Sequence, residues 1–596
     1  MNKVISILFG VLLCSNSIFS QWSTNPAVNT FVAAYGTDLY FDKIISDGNG
    51  GYFISFGDGN AGGDVYVQKF NANGVAQWTS GGILVCTGRG NVSNIISDGN
   101  GGAILSWADQ VHFVYAQRIN SSGVKQWGAF GVAVATSSIS PQNIQLETDG
   151  SNGVIIAWTD IRNSNYDIFA QRVNSTGVCQ WTTDGVGIAV LPFHQANPHL
   201  IKDDFGGAII VWDDGRSGTG MDIYAQRINS AGVCQWIANG ISICNITGGG
   251  YSGYSNIVSD GSGGAFITWR DQRAGRCCPA TDVYAQRVNA SGVAQWTLNG
   301  ILVGQPVSRT DTWMLSDGNG GAIITWTDGG IKAQLLNSAG VAQWGSGGLT
   351  VSSGLGGGEF PEICTDGNGG AIITWQDSRS GNSDIYAQKI NSSGLIQWIA
   401  NGVTIANGAL EQINSESIGS LNIPNINIVS DGSSGAVITF LNNLSGRYDV
   451  FVQNVLSDGR IGAYLPTVTT SVVTNITSTT ASGGGNVTFF GGSLVTNRGI
   501  VFGASPNPDI TPGSLTLSSG TGAGSYSVPI TGLNSASIYY VKAFATNSIG
   551  TSYGNQVSFT LPQSGKYFPL FPPWLMYLLV CSIISYISFY LIKKGS

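Results

Sequence analysis

Carboxylates placed beside arginines are the most chemically suggestive feature of this sequence. The motif Trp-x-Asp-x-Arg occurs four times, with its pairs at Asp160 and Arg162, Asp214 and Arg216, Asp271 and Arg273, and Asp377 and Arg379. Two carboxylates at a fixed separation could hydrolyse a glycosidic bond. A catalytic set is unique, however, whereas an ion pair that fixes a loop can recur in every unit. We therefore expect these pairs to be structural.

Two other patterns could bind metal ions. A turn close to Asp-Gly-Asn-Gly-Gly recurs, and Ca²⁺ prefers carboxylate and carbonyl oxygens. Each turn supplies only one carboxylate, and Asx-Gly pairs are ordinary in tight turns. His194 and His199 stand five positions apart in LPFHQANPHL, but no nearby Glu completes a zinc-protease motif. We expect no cofactor, with Ca²⁺ as the less favoured alternative.

The Asp-Gly turns belong to a repeat that must position any site. Its anchors lie 49 to 65 residues apart, at Asp47, Asp98, Asp149, Asp203, Asp260, Asp317, Asp366 and Asp431. A unit contains a short strand, the turn, an apolar strand ending in Trp, an alternating strand such as DIYAQRIN, and a strand opened by Gln-Trp. Four strands joined by tight turns are typical of one blade of a β-propeller. The sequence predicts an all-β protein with an eight-bladed propeller over residues 21–464, a seven-bladed ring being the alternative.

The tryptophans and the ends of the repeat support this prediction. Fourteen of the sixteen tryptophans occupy two fixed repeat positions, which favours packing between blades over a sugar-binding surface. The last unit lacks a Gln-Trp pair, while Gln21 and Trp22 precede the first unit. We expect the N-terminal strand to complete the last blade and leave no exposed edge. Cys179 and Cys234 share a repeat position and are not expected to form a disulfide.

Residues that depart from the repeat and lie in loops are the better candidates for binding, because blade construction does not explain them. These candidates are Phe193, His194, His199, Tyr251, Tyr254, Arg276, Asp311 and Trp313. If the chain is an enzyme, Glu362 and Glu411 are further candidates, since both also lie outside the repeat.

The pattern DGNGGAIITW…DIYAQRIN…QW resembles the β-propeller repeats of secreted and cell-surface bacterial proteins. This resemblance covers residues 21–464 and implies an architecture without a chemistry, because propellers include both enzymes and binding proteins. Residues 465–562 follow a different alternating pattern, and the segment around Tyr539 resembles the late strands of a fibronectin type III domain. That resemblance implies a small β-sandwich acting as a spacer.

The two ends of the chain predict export and a membrane anchor. Residues 1–20 read as a signal peptide, with cleavage after Ser20. After a linker at 563–571, residues 572–592 form an uncharged stretch long enough to cross a bilayer or to act as a sorting tail. The basic end at 593–596 favours the cytoplasmic side. The net charge of −8 and the lack of a basic stripe argue against nucleic-acid binding.

These features together favour an exported, membrane-tethered binding or adhesion scaffold that recognises a glycan or protein partner outside the cytoplasm. Because no unique catalytic set is apparent, we expect the chain not to be an enzyme. The alternatives are a carbohydrate-active enzyme, either a glycoside hydrolase or a lyase, and a purely structural envelope protein.

Overall fold

The computed structural model describes residues 22–27, 29–33, 39–58, 63–87, 92–109, 113–246, 252–273, 281–306, 312–353, 356–407, 426–442, 448–491, 495–511, 513–547, 549–563 and 573–593. This part of the chain is nearly all β-structure, with one helix near its C-terminal end. The chain divides into two compact units, Met1–Tyr464 and Leu465–Ser596.

Unit 1 consists of eight antiparallel sheets of four strands each, matching the eight repeat units. Strand β1 (Thr30–Ala33) belongs to the last of them, sheet 8. Sheet 1 has β2 (Leu39–Ser46), β3 (Tyr52–Asp58), β4 (Val65–Phe70) and β5 (Ile83–Cys86). Sheet 2 has β6 (Val92–Ser97), β7 (Ala103–Ala108), β8 (Val114–Ile119) and β9 (Val132–Ala135). Sheet 3 has β10 (Gln142–Thr148), β11 (Val154–Asp160), β12 (Asp167–Val173) and β13 (Val186–Ala189).

The remaining sheets of unit 1 follow the same order. Sheet 4 has β14 (Gln195–Lys202), β15 (Ala208–Asp214), β16 (Asp222–Ile228) and β17 (Ile241–Cys244). Sheet 5 has β18 (Ser252–Ser259), β19 (Ala265–Asp271), β20 (Asp282–Val288) and β21 (Ile301–Gly304). Sheet 6 has β22 (Thr312–Ser316), β23 (Ala322–Thr327), β24 (Ile331–Leu336) and β25 (Leu349–Ser352). Sheet 7 has β26 (Glu359–Thr365), β27 (Ala371–Asp377), β28 (Asp384–Ile390) and β29 (Val403–Ala406). Sheet 8 combines β1 with β30 (Asn427–Ser430), β31 (Ala436–Asn442) and β32 (Asp449–Val455).

The Asp-Gly anchors form the turns between the first and second strands. In sheet 2, the Asp98 Oδ1 accepts hydrogen bonds from the backbone N–H groups of Asn100 and Gly102, at 2.8 and 2.7 Å. Gly102 is required because a Cβ atom there would lie 2.3 Å from the carbonyl oxygen of Ile119. Such Asx turns fix the hairpin locally.

The repeated tryptophans pack between strands and sheets, as predicted. Those that end the second strands are almost completely buried: Trp107, Trp158, Trp212, Trp269, Trp326 and Trp375. Each Gln-Trp tryptophan donates its Nε1–H to a backbone carbonyl in the next sheet: Trp22 to Ala72, Trp78 to Ser121, Trp127 to Ser175, Trp181 to Ser230, Trp236 to Ala290, Trp296 to Ser338, Trp344 to Ser392 and Trp398 to Ser457. One repeated contact therefore links each sheet to its successor.

The N-terminal segment joins the last sheet, as the orphan Gln-Trp pair predicted. Strand β1 pairs antiparallel with β32, and Trp22 links sheet 8 to sheet 1. The first strands of successive sheets also neighbour one another, and β30 of sheet 8 neighbours β2 of sheet 1. The backbone N–H of Leu39 in β2 donates to the carbonyl of Tyr448 beside β32, at 2.7 Å.

A second set of contacts between sheets is ionic. A basic residue on the third strand pairs with the anchor Asp of its own sheet and donates to a carbonyl of the following sheet. Arg227, for example, lies 3.0 Å from Asp203 and 3.1 Å from the carbonyl of Ala290. Leu335 takes this position in sheet 6 and Asn454 takes it in sheet 8, so these two sheets lack the ion pair.

Unit 2 contains two antiparallel sheets around a common apolar core. One sheet has β33 (Thr467–Thr470), β34 (Ala481–Phe489) and β37 (Gly524–Ile530). The other has β35 (Asn497–Gly503), β36 (Leu515–Ser518), β38 (Ile538–Asn547), β39 (Gly550–Tyr553) and β40 (Val557–Thr560). The Tyr539 hydroxyl accepts a hydrogen bond from the backbone N–H of Asn534 at 3.1 Å, which fixes the loop before β38.

The same unit includes the helix α1 (Pro573–Lys593). Its segment Trp574–Leu591 has a mean hydropathy of 1.8 and none of it is buried. Within the described residues it is the one helix long and apolar enough to cross a membrane. At 1.5 Å per residue its length is roughly 30 Å, about the thickness of a bilayer core.

Candidate functional site

The four Trp-x-Asp-x-Arg motifs are structural, as expected. In sheet 4 the Asp214 Oδ2 lies 2.5 Å from the Arg216 guanidinium and accepts the Trp212 Nε1–H at 2.7 Å. Arg216 then donates to the carbonyl of Asn239 at 2.7 Å and covers the ring of Tyr224. All four Asp residues are buried and have an arginine partner. These carboxylates take part in the packing of their own sheets, and Asp271 also accepts the Cys244 thiol of sheet 4 at 3.7 Å.

The Asp-Gly turns likewise use their carboxylates internally. The Asp203 Oδ1 accepts the backbone N–H groups of Phe205 and Gly207, and its Oδ2 pairs with Arg227. No cluster of three or more metal-ligating side chains occurs in the described part of the chain. The sequence-based expectation of no cofactor, with Ca²⁺ as an alternative, therefore stays a prediction. Cys179 and Cys234 are both free thiols, in line with the sequence analysis.

A set of variable residues lies on the first strands, four positions before each anchor Asp. We call it the first-strand row: Lys43, Asn94, Gln145, His199, Asn256, Trp313, Glu362 and Asn427. All eight pair with the equivalent position of the second strand. The next residue along each strand is always aliphatic or Met, so the fold constrains that neighbour but not the row. The row is thus where the repeat permits variation on adjacent first strands.

Contacts within the row join neighbouring sheets. The Lys43 ammonium donates to the Asn427 Oδ1 at 2.9 Å, and the Asn94 amide donates to the Gln145 Oε1 at 3.0 Å. Lys43 forms no ion pair among the described residues. Burial, together with the charge of Lys43, lowers the pKa of His199 to about 4. The imidazole is therefore neutral at pH 7, and residues from sheets 1 and 4 influence one another.

A backbone irregularity lies two residues before the row. The residues six positions before the anchor have left-handed φ angles in four sheets, namely Asn143 (49°), Asn197 (55°), Tyr254 (55°) and Phe360 (52°). The strand register shifts around each of them, which marks a β-bulge. Bulges of this kind re-aim side chains and are common next to active sites. Asn tolerates a left-handed conformation, whereas Tyr rarely adopts it.

The bulges of sheets 3, 4 and 5 are connected through one buried carboxylate, Asp213. Its Oδ2 accepts the backbone N–H of Tyr254 at 3.2 Å and the side-chain amide of Asn197 at 2.9 Å. Ser255 Oγ donates to its Oδ1 at 3.4 Å. The Asn143 amide in turn donates to the Asn197 Oδ1 at 2.6 Å. Burial raises the pKa of Asp213 to about 6, although these donors oppose the shift.

Tyr254 is exposed at its ring and covered on one side by an arginine. Its exposed fraction is 47%, and the Arg270 Cζ lies 4.2 Å from the ring centroid. Arg270 and Asp213 hold the same repeat position, between the Trp and Asp of the motif, in adjacent sheets. The other six sheets carry Gly57, Ala108, Thr159, Thr327, Gln376 and Leu441 there. Charges at this position are therefore confined to sheets 4 and 5, where they meet Tyr254.

The candidate residues named from the sequence are distributed unevenly. His199 and Trp313 lie in the first-strand row, as does Glu362, and Tyr254 joins the Asp213 cluster. Phe193 and His194 directly precede β14, at the end of sheet 4 where this first strand begins. The Phe193 ring packs beside Gly218, and the His194 ring lies 5.0 Å from that of Tyr166. The other candidates fall outside the described residues, namely Tyr251, Arg276, Asp311 and Glu411.

The sequence analysis missed Asp213 and Arg270, because both lie inside a motif that had been assigned to blade construction. The signal was present: comparing the middle residue of Trp-x-Asp among the eight units isolates these two charges. What the sequence could not show is that Asp213 contacts the bulge of the following sheet.

Comparisons with known proteins give only distant likenesses. No family model matches the chain, and the search of curated proteins found no match. Two solved structures of an ulvan lyase of polysaccharide lyase family 25, one of them bound to -[GlcA(1-4)Rha3S]-, cover 60% of this chain and 91% of their own length, at 12% identity and TM-scores of 0.37 and 0.36. The sensor domain of the anti-sigma factor RsgI4 from Pseudobacteroides cellulosolvens covers 17% of this chain and 98% of its own, at 18% identity and a TM-score of 0.14. The third fibronectin type III domain of human KIAA0343 covers 18% and 90%, at 19% identity and a TM-score of 0.14.

These comparisons correct one expectation. The chain was expected not to be an enzyme, and that expectation is contradicted because the structures covering 60% of it are polysaccharide lyases. The exclusion rested on the repetition of the Asp–Arg motif, and that repetition says nothing about residues outside it. With TM-scores below 0.5, the likeness carries no argument about a substrate of this chain.

Proposed function

We propose that the eight sheets of unit 1 are the blades of a closed β-propeller and that the first-strand row lines its centre. Three observations support this arrangement: the order of contacts between first strands, the shared strand pairing of β1 with β32, and the Trp22 hydrogen bond from sheet 8 to sheet 1. In this arrangement the row lies near the middle of the channel wall, and the bulges lie between the row and the end where the first strands begin. A ligand would approach from the side where the first strands begin.

We infer that the chain is a carbohydrate-active protein that holds a polysaccharide at this end of unit 1. The observation that carries the proposal is the first-strand row, because amide, imidazole, carboxylate, ammonium and indole groups occupy one repeat position. Amides and charged groups recognise sugar hydroxyls, and aromatic rings pack against sugar faces. A purely structural repeat would not require such variety at one position.

The same row holds groups suited to acid–base chemistry. The imidazole of His199 is neutral at pH 7, because burial and the charge of Lys43 lower its pKa to about 4. A neutral imidazole has one ring nitrogen that accepts a hydrogen bond or proton and one N–H that donates. Glu362, a buried carboxylate with an exposed fraction of 9%, is the acidic residue of the row, which also contains the basic side chains of Lys43 and His199. Cleavage of a glycosidic bond, by hydrolysis or by elimination, needs a proton donor and a proton acceptor at the bond. His199 and Glu362 are therefore the groups we assign to these roles.

The test is a depolymerisation screen with the purified protein. Soluble neutral and acidic polysaccharides are incubated with the wild type, His199→Gln and Glu362→Gln, and with Lys202→Met as a control. Lys202 lies at the far end of β14 and is half exposed. New reducing ends report either reaction, and absorbance of an unsaturated sugar reports elimination. We expect the two row variants to lose activity by about 100-fold or more, the usual contribution of general acid–base groups. A wild type that neither binds nor shortens any polymer refutes the proposal.

We further propose that the protein is exported and held at the membrane by α1, with unit 2 as a fibronectin type III-like spacer. The uncharged α1 and the two-sheet architecture of unit 2 support these assignments. Adhesion through the same glycan contact is our second candidate function, favoured by the terminal helix. Protease accessibility of unit 1 on intact cells, with and without residues 573–596, tests the location.

A further inference from the structure

Tyr254 has a conformation and an exposure that formation of the fold does not require. Its backbone is left-handed, with φ at 55°, and its ring is half exposed. At the same repeat position, sheets 3 and 4 have Asn, which adopts this conformation with little strain. Phe360 of sheet 7 shares the conformation but is buried, with 5% exposed, so its ring contributes to the core. Tyr254 combines a strained backbone with a ring that the core does not use.

The strain is maintained by a charge that is itself costly to bury. Asp213 is completely buried and accepts the Tyr254 N–H. Two departures from the repeat, on neighbouring sheets, thus meet, and Asp213 holds the backbone of Tyr254. Strained residues that the surroundings hold in place tend to occur at functional sites.

The ring of Tyr254 is also oriented by its other neighbour. The Arg270 guanidinium lies over one face, with its Cζ 4.2 Å from the ring centroid. A stacked guanidinium limits rotation of the ring. Aromatic rings that are held rigid and are about half exposed can pack against the flat apolar faces of ligands that also carry hydroxyl groups.

We propose that Tyr254 is a stacking platform for one pyranose ring of the polysaccharide, with Arg270 beside it and Asp213 holding its backbone. This inference rests on the proposed carbohydrate function and adds to it a subsite at sheets 4 and 5. The platform lies two residues from Asn256 of the first-strand row, so a chain bound over the row extends onto it.

The experiment measures binding of oligosaccharides to the full chain in detergent by isothermal titration calorimetry. The probes are cellohexaose, xylohexaose, mannohexaose and hexagalacturonate. The variants are Tyr254→Ala, Tyr254→Asn and Tyr254→Phe. Phe205→Ala is the matched control, since Phe205 is an exposed aromatic paired with an arginine, with the Arg227 Cζ 5.2 Å from its ring, in the anchor turn of sheet 4.

We expect Tyr254→Ala and Tyr254→Asn to weaken binding about tenfold, because both remove the ring. Tyr254→Phe and Phe205→Ala should bind as the wild type does. Tyr254→Asn should in addition unfold at a higher temperature than the wild type, because Asn relieves the left-handed strain. That increase would show that the loss of binding does not come from misfolding.

Three results would overturn the inference. If the wild type binds a probe and Tyr254→Ala binds it equally, the platform is wrong while the proposed function stands. If Tyr254→Phe loses as much binding affinity as Tyr254→Ala, the hydroxyl and not the ring makes the contact with the sugar. If the wild type binds none of the probes and none of the polysaccharides of the screen, the proposed function fails and the platform fails with it.

Discussion

Replacing Asp213 by Asn tests the electrostatics of the site and has a calculable effect. Burial raises the pKa of Asp213 from 3.8 to about 6 in the folded protein. At about 1.36 kcal/mol per pKa unit, the ionised form costs the folded state about 3 kcal/mol. Because the pKa of Asp213 is higher in the folded than in the unfolded protein, the contribution of this residue to the free energy of unfolding is fully present below about pH 4. That contribution is lost as the pH rises through about 6.

Asp213→Asn removes the charge while keeping an oxygen that can accept the Tyr254 N–H. We therefore expect the free energy of unfolding of the variant, relative to that of the wild type, to increase by about 3 kcal/mol as the pH rises from 4 to 8. Denaturant unfolding followed by tryptophan fluorescence measures this difference. Fifteen of the sixteen tryptophans lie in residues 1–464, so the signal reports on unit 1.

The control is Asp204→Asn, since Asp204 is close in sequence but half exposed and paired only at the surface with Lys202. Its stability relative to the wild type should change by less than about 1 kcal/mol over the same range. Parallel pH curves for Asp213→Asn and the wild type would refute the assignment of a costly buried carboxylate. So would a variant that loses stability relative to the wild type as pH rises.

His199→Gln should show the opposite pH dependence, because burial lowers the pKa of His199 to about 4 in the folded protein. As the pH falls from 7 to 4, the free energy of unfolding of the wild type should decrease by about 3 kcal/mol relative to that of the variant. Arg227→Leu should destabilise unit 1 by about 3 kcal/mol in denaturant unfolding, because it leaves the buried Asp203 carboxylate without its partner. Deletion of residues 21–33 should expose the edge of β32 and convert the protein to oligomers in light scattering, because an unpaired strand edge recruits other strands.

Each of these outcomes has a matched comparison. Lys202→Met removes a surface pair 3.7 Å long and should change stability by less than about 1 kcal/mol, so an equal loss in Arg227→Leu and Lys202→Met would contradict the argument from burial. A pH-independent difference between His199→Gln and the wild type would contradict the burial of the imidazole. A monomeric deletion variant would show that β1 does not protect the edge.

The sequence predicted the repeated part of the structure well, because that part depends on local chemistry. Asp98 and Gly102 determine their turn within five residues, and alternation and tryptophan spacing determine the strands around it. The pairing of β1 with β32 was also predictable, since the two incomplete units complement each other.

The site was predicted only in part, because its residues meet through the packing of separate sheets. His199 and Trp313 were identified as departures from the repeat, but their common position four residues before the anchor was not recognised. Asp213 was hidden by the aspartate next to it, which belongs to the structural motif. Its contact with Tyr254 depends on a bulge in the next sheet, and a strand-period pattern does not encode the left-handed φ of that bulge.

The central claim is that a polysaccharide binds over the first-strand row of unit 1 and enters from the end where the first strands begin. The most direct test is a crystal structure of the protein with an oligosaccharide selected by the polysaccharide screen. We predict density for sugar rings over the first-strand row, with contacts to His199 and Glu362 and one ring stacked on Tyr254. Sugar bound at the opposite end, beside the Asp-Gly turns, or only on unit 2, would contradict the account.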